Sequence, residues 1–315
     1  MDLAERIKEK AFETGFDLVG ITSAEPIDDE QIEIFNKWLR CGYSAQMSFM
    51  EKTINKRFCP AELLTRARSV IIAAINYKPS QQASKSSRDS HSGKVASYAQ
   101  YEDYHVFIRS LLNELADFIA SITNAGAQFR ICVDSAPVAE KTLAVRAGLG
   151  FIGKNHLLIN LAFGPQILLG EIITTMQLQP DKPLKADCGS CRKCIEACPT
   201  GALRQDGFFD AGRCISYLTI EHKQDIPREL ADLMGNHIFG CDDCITACPF
   251  QQKAQTCKNK NFRYYPDRAN LDLREILEMK EDVFKRRFAD SPVLRPGLEQ
   301  LKRNARICLE NHGST

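Results

Sequence analysis

Apolar residues recur at helical spacing at Leu3, Ile7 and Ala11, which predicts a helix over residues 2–14. Leu18-Val-Gly-Ile21 reads as a short strand, and a second helix is expected from Gln31 to Leu39. Val70-Ile-Ile-Ala-Ala-Ile75 is continuously apolar, the pattern of a strand buried on both faces. Gln128–Val133 and Ile167–Thr175 predict two more strands. Helices are expected over Tyr104–Thr123 and over Pro137–Ala147, the second with proline in its first turn. Strands and helices alternate, so residues 1–180 read as one α/β or α+β domain. Within it, Pro79–Gly93 is a polar, serine-rich stretch that cannot pack a core and reads as a mobile surface loop.

The composition agrees with a globular chain: 315 residues, 44% of them apolar, with 41 Lys+Arg against 40 Asp+Glu. That balance excludes a wholly basic nucleic-acid coat and an acidic disordered chain. No apolar run approaches the roughly 18 residues of a membrane span, and the charged start lacks the apolar core of a signal peptide. A cytoplasmic protein without membrane contact is expected, monomeric by default. Charge is uneven, with residues 251–315 carrying net +5 and residues 1–250 net −4. A basic end on an acidic body points weakly to a polyanion; a solvated helical face is the plainer reading. No repeat with a period of 20–50 residues is visible.

Cysteine is the anomaly. Eight of the 13 fall between Cys188 and Cys248. A reducing compartment argues against disulfides, so the cluster points to metal or redox chemistry. The other five, Cys41, Cys59, Cys132, Cys257 and Cys308, read as inert thiols. Cys188-Gly-Ser-Cys191-Arg-Lys-Cys194-Ile-Glu-Ala-Cys198-Pro199 has the bacterial-ferredoxin spacing, in which the fourth cysteine serves the other cluster. Cys241-Asp-Asp-Cys244-Ile-Thr-Ala-Cys248-Pro249 is a shorter echo, and Cys214 lies between. Three thiolates on one loop hold three corners of a cube, and the chain then turns away at the Cys-Pro step. One 4Fe-4S cluster would therefore take Cys188, Cys191, Cys194 and Cys248, and a second Cys198, Cys214, Cys241 and Cys244. A pair of zinc sites is the alternative, but the twin Cys-Pro endings and the missing fourth local ligand favour iron. Residues 181–250 thus read as a ferredoxin-like module that moves electrons, and 251–315 as a basic segment packed on the body.

Other patterns are weaker. Gly148-Leu-Gly-Phe-Ile-Gly153-Lys154-Asn155 fits a dinucleotide fingerprint, but a helix precedes it where a strand is required, so the glycines read as a helix C-cap. Asp103-Tyr-His105 resembles the start of the histidine-donating cobalamin motif, yet Ile108 occupies its glycine position, and His105 reads by default as structural. Asp134 ends an apolar strand, where α/β folds place chemistry, and partial burial would raise its pKa into the range of a proton donor. An ordinary helix N-cap is an equally good reading of it.

Together these segments resemble the epoxyqueuosine reductase family over nearly the whole chain. The resemblance rests on Arg57-Phe-Cys-Pro60, Tyr98, Asp103-Tyr-His105 and Asp134-Ser-Ala-Pro137-Val-Ala-Glu140-Lys141. It continues through Ala147–Asn155, Tyr217-Leu-Thr-Ile-Glu221-His-Lys223 and Gly240-Cys-Asp-Asp-Cys244. It implies a cobalamin-binding α/β domain joined to the two-cluster module. The implied reaction is two-electron reduction of the epoxide of epoxyqueuosine at the tRNA wobble position, the last step of queuosine biosynthesis. Asp134 would donate the proton. Arg57, Ser97, Tyr98, Asp134, Gly153, Lys154, Asn155, Leu158, Ser216 and Asp242 would surround the cobalamin. Tyr104, His105, Glu221, His222 and Lys223 would meet the tRNA anticodon stem-loop. A reduced ferredoxin or flavodoxin would supply electrons.

The chain departs from the family at Tyr101 and Gln224, where glycine is usual, and at Phe250, where tryptophan is usual. It is expected to be the short form, without a C-terminal helical-repeat extension. Two competing readings are a cobalamin-dependent reductive dehalogenase and a ferredoxin-like carrier. The first lacks its usual twin-arginine signal here, and the second leaves about 180 residues before the cysteines unexplained.

Overall fold

The computed structural model describes residues 2–80, 91–123 and 126–313. Most of the serine-rich stretch, 81–90, lies outside the described residues. The organising element is a four-stranded sheet of β1 (Leu18–Ser23), β2 (Ser69–Asn76), β7 (Ile167–Thr174) and β4 (Phe129–Cys132), in the order β1-β2-β7-β4. Every neighbouring pair is antiparallel, so the α+β reading holds rather than a parallel α/β sheet.

β2 is buried at all eight positions because both sheet faces are covered. Ile71, Ala73 and Ile75 face α1 (Leu3–Thr14) and α3 (Tyr104–Ile122), packing with Ile7, Ile108 and Leu112. Val70, Ile72 and Ala74 face the other way, onto α4 (Glu140–Arg146), packing with Leu143 and Ala144. This is the two-residue side-chain period of a strand, read by two layers of helix. Helix α3 lies close to the sheet because β7 offers Gly170; a Cβ there would meet Ile108 Cγ2 at 2.5 Å. Helix α2 (Asp29–Arg40) has no buried residue and lies peripherally, its Trp38 indole donating to Phe209 O.

A second sheet crosses the sequence segments. β3 (Ser92–Val95) sits between β8 (His237–Phe239), which it pairs in parallel, and β9 (Asn270–Asp272), which it pairs antiparallel. The cysteine-rich stretch, short of strand signals in the sequence, thus contributes a strand. The C-terminal helix α5 (Leu298–Gly313) closes this region, and its buried Asn304 donates to Thr219 O and Ile238 O. No helix among the described residues is long and apolar enough to cross a membrane.

The glycine-rich segment is what its helix-cap reading expected. Helix α4 ends at Arg146, and Gly148 takes φ +77° with Lys182 O placed 2.5 Å from where a Cβ would lie. The segment then enters β5 (Phe151–Ile152), which pairs with β6 (Leu158–Ile159), and no helix follows the glycines. Tyr101, one of the departures from the family pattern, is core: it stacks on Phe262 at 4.5 Å between ring centroids.

Candidate active site

Between the main sheet and the cysteine-rich part lies a cavity of about 1210 Å³. One wall is apolar, with Phe35, Met47, Phe49 and Met50; the other gathers Arg57, Tyr104, His105, Asp134, Glu221 and Arg295. Drug-sized ligand pockets occupy roughly 300–1,000 Å³, so this volume suits a larger guest.

Asp134 follows β4 with φ +48°, the left-handed region that Asp and Asn tolerate best among residues with a side chain. Its N–H donates to Glu140 Oε1 at 2.7 Å, and the next N–H, of Ser135, turns back to Val133 O. This turn displaces the start of the following helix from the expected Pro137 to Glu140, whose N-cap is Ala139 without a side-chain cap bond. Asp134 is therefore not an N-cap; its carboxylate is 44% exposed, into the cavity.

Helix α3 places His105 opposite. Asp103 is the N-cap, and its Oδ1 accepts from both the His105 N–H at 3.0 Å and Nδ1 at 2.7 Å. That leaves Nε2 directed at Asp134 Oδ2, 3.1 Å away. Burial pulls the His105 pKa down, but bonds to Asp103 and Asp134 outweigh it and bring the ring up to about 9. The ring is thus an imidazolium at neutral pH, donating through both nitrogens. Tyr104 stacks on it at 4.1 Å between ring centroids. Burial and then the Asp134 charge raise the Tyr104 hydroxyl pKa, so the phenol keeps its proton and bonds to Asp134.

The expectation that burial raises the Asp134 pKa is corrected here. Burial does push it up, but His105, then Arg295 and Tyr104, hold the carboxyl below the usual aspartate range. Likewise His105, structural by default in the sequence, is part of the site. Arg295 went unnoticed in the sequence: its Nε meets Glu221 Oε1 at 2.8 Å and an Nη lies 3.8 Å from Asp134 Oδ2. No local pattern around Pro292–Leu294 marks it. Arg57 keeps a buried Nε without a partner, while its Nη groups reach Val138 O and Thr53 Oγ1 at 3.4 Å. Arg57 lines the cavity, so its cationic head borders a polar guest there, while the orphaned Nε itself is buried behind the wall.

A smaller cavity, about 290 Å³, adjoins. Cys198, Cys214, Cys241 and Cys244 line it together with Tyr77, Asn155 and Asp242. The two cavities share Tyr98, Phe209, Cys214 and Ser216 as walls. Cys188 and Cys248 pack together elsewhere, around Phe151, Ile159 and Phe250. Burial, then Cys188 and Cys248, push the Cys194 thiol up; burial, then Cys214, Asp242 and Cys198, push up Cys244. Such crowding of thiols is relieved when a metal cluster takes them as thiolates. Four of them around one small cavity and a separate set on Cys188, Cys194 and Cys248 fit two inorganic clusters.

The remaining candidates fall around these cavities. Asp242 Oδ2 accepts from Ser97 N and Oγ at 2.7 and 2.6 Å. Lys154 Nζ donates to Gly189 O and Cys191 O, so it braces the first cysteine loop rather than facing the large cavity. Gly153 packs against Ile159, and Leu158 is buried in β6. His222 Nε2 meets Asp225 O, and Lys223 Nζ donates to Gln300 Oε1. In the basic C-terminal segment, Arg303 turns inward to Leu218 O, His222 O and Gln224 O, and Arg268 is buried against Asp290. Part of that segment's positive charge therefore holds the fold together.

Comparison with known proteins matches this arrangement twice. The model of the family described as Epoxyqueuosine reductase QueG, DUF1730 matches residues 57–135, and that of the 4Fe-4S double cluster binding domain matches residues 187–251. The epoxyqueuosine reductase of Francisella cf. novicida is 38% identical over 98% of this chain and 86% of its own. That of Leadbetterella byssophila is 38% identical over 96% of this chain and 97% of its own. A crystal structure of an epoxyqueuosine reductase with an epoxyqueuosine-modified tRNA-Tyr stem loop superposes with TM-score 0.91 at 32% identity, covering 98% of this chain and 81% of that one. A Bacillus subtilis epoxyqueuosine reductase, solved with its catalytic aspartate loop swung out of the active site, gives 0.91 at 31%, covering 98% and 82%. On identity and coverage of this extent, the chain belongs to the epoxyqueuosine reductase family.

Proposed function

We propose that this protein reduces the epoxide of epoxyqueuosine in the anticodon loop of tRNA to give queuosine, using a cobalamin and two 4Fe-4S clusters. The observation that carries the reading is the shared wall of the two cavities: Cys214 and Ser216 border both the cysteine-lined space and the chamber that holds Asp134 and His105. Electrons delivered to the thiolate-bound clusters emerge within reach of a large guest. Family membership and the solved complex of a relative with modified tRNA support the same substrate. In this reading residues 1–180 hold cobalamin and substrate, 181–250 the clusters, and 251–315 pack on the body beside the tRNA.

The net change is epoxide plus two electrons plus two protons, giving alkene plus water. Cobalamin, when bound and reduced, supplies the low-potential electrons that no side chain can. The residues that would hold it are Arg57, Tyr98 and Ser216 at the cavity wall, with Ser97 and Asp242 behind them. The protein's own part is proton delivery and exclusion of water. His105 carries a proton at neutral pH and points it at Asp134 Oδ2. Filling the cavity displaces water, which raises the cost of an ionised Asp134 and draws that proton onto its carboxyl. Asp134 then gives this first proton to the departing oxygen, and solvent supplies both the second proton of the water formed and the proton that recharges His105. The target base must leave the anticodon loop to enter the chamber, as in other single-stranded RNA recognition. A reduced ferredoxin or flavodoxin is the electron source in this scheme.

The test is anaerobic turnover by protein reconstituted with iron, sulfide and cobalamin under a low-potential reductant. Nucleoside digests of tRNA carrying epoxyqueuosine should show its conversion to queuosine, while an organohalide is left unchanged. Dehalogenation with intact epoxyqueuosine would overturn the reading in favour of a small-molecule enzyme.

A further inference from the structure

Behind the Asp134 turn lies a feature the proton chain above does not use. Glu171 stands on β7, opposite Ile72 on one side and Cys132 on the other, and is fully buried. Its side chain shares the sheet face of Leu169 and Ile173, under helix α4. Neither of its carboxyl oxygens meets an N–H or O–H donor. Its polar neighbour is the carboxyl of Glu140, the first residue of that helix, and Glu140 Oε1 accepts the Asp134 N–H at 2.7 Å.

Two carboxyls with no donor between them hydrogen-bond only if one keeps a proton, and holding the fully buried Glu171 as an anion beside the half-buried Glu140 is costly. We infer that Glu140 and Glu171 form a proton-sharing carboxyl pair that positions Asp134. Glu171 donates its O–H to Glu140, and Glu140 in turn pins the Asp134 N–H and the left-handed turn that aims the acid into the cavity. The groups facing the pair leave room for this. Asp134, Lys141 and Arg57 bear on Glu140, while Asp134 and the Cys132 thiol bear on Glu171. Burial first, then the Asp134 charge, raise Glu140 above the ordinary carboxylate range against the pull of Lys141 and Arg57, and burial, then Glu140 and Asp134, raise Glu171. A buried, protonated carboxyl here is a positioning group: it touches no substrate and acts through Glu140. The inference rests on the catalytic role proposed above for Asp134.

The experiment compares Glu171→Gln with Glu171→Met in the reconstituted full-length protein. Gln keeps a donor toward Glu140 without a titrating proton; Met fills similar volume with none. In the wild-type-minus-variant infrared difference spectrum at neutral pH, a protonated-carboxyl stretching band should appear against both variants. Gln should retain most of kcat, and Met should lower kcat on the order of 10²-fold at unchanged KM while its thermal midpoint holds. A purely space-filling role predicts the reverse, with Met as active as Gln, and that result or a missing band overturns the inference. If wild-type protein leaves epoxyqueuosine tRNA untouched, the functional reading fails, and the infrared band still decides whether the pair holds its proton.

Discussion

His105 Nε2 lies 3.1 Å from Asp134 Oδ2, joining the first turn of a helix to the end of a strand 29 positions later. The same ring bonds Asp103 through Nδ1 at 2.7 Å, so one imidazolium is clamped between two carboxylates. Its pKa of about 9 lies above the ordinary 6.5. A raised base stabilises the fold fully below its unfolded pKa and loses that contribution as pH rises through the folded value. The wild-type advantage over His105→Gln should therefore be present near pH 6 and fade toward pH 9.5, on the order of 1–2 kcal/mol after screening. Urea midpoints at the two pH values check it; an advantage that grows with pH would refute the clamp. On the acid side Asp103 and Asp134, both held below 3.8, add stability that is lost only as pH falls through their folded values.

Asp134→Asn should leave iron content and cobalamin binding unchanged while turnover falls by about 10²–10⁴-fold. Asn is the right probe because it tolerates φ +48° about as well as Asp, so the turn survives the substitution. Asp134→Ala adds strain of about 1 kcal/mol at this backbone position and should also lower the thermal midpoint. Near-normal turnover by the Asn variant would remove Asp134 from proton transfer.

Cys214 walls both cavities, whereas Cys188 packs with Cys248 in a separate apolar cluster around Phe151 and Ile159. Cys214→Ser and Cys188→Ser should each lower iron per chain by about half, since four thiolates hold each 4Fe-4S cluster. Only one of the two sets of ligands should respond in each variant. Loss of all iron from either would mean that the two clusters assemble as one unit.

Ile72→Ala should cost about 2–5 kcal/mol, because Ile72 is fully buried in the central strand between two layers of helix. Denaturant unfolding followed by far-UV circular dichroism checks this, and a loss below about 1 kcal/mol would show that helix α4 collapses onto the gap.

What the linear sequence determined by itself was whatever neighbours along the chain dictate. The uninterrupted apolar run of β2 announces a strand covered on both sides, and it is buried at every position. The cysteine spacing points to iron–sulfur clusters, because three thiols on a short loop can meet one metal cluster whatever surrounds them, and a 4Fe-4S double cluster binding domain matches residues 187–251. Helix α3 begins where Asp103 can cap it. Tertiary structure alone decided the chemistry around Asp134. Its low pKa comes from His105 and Arg295, 29 and 161 positions distant, and neither carries a local pattern that names its partner. Glu171 in an apolar strand looks like an interruption until the antiparallel register brings it under Glu140. Side-chain periodicity encodes which face is buried; the charge that a buried group meets there depends on which strands and helices pack together, and that is settled only when the chain folds.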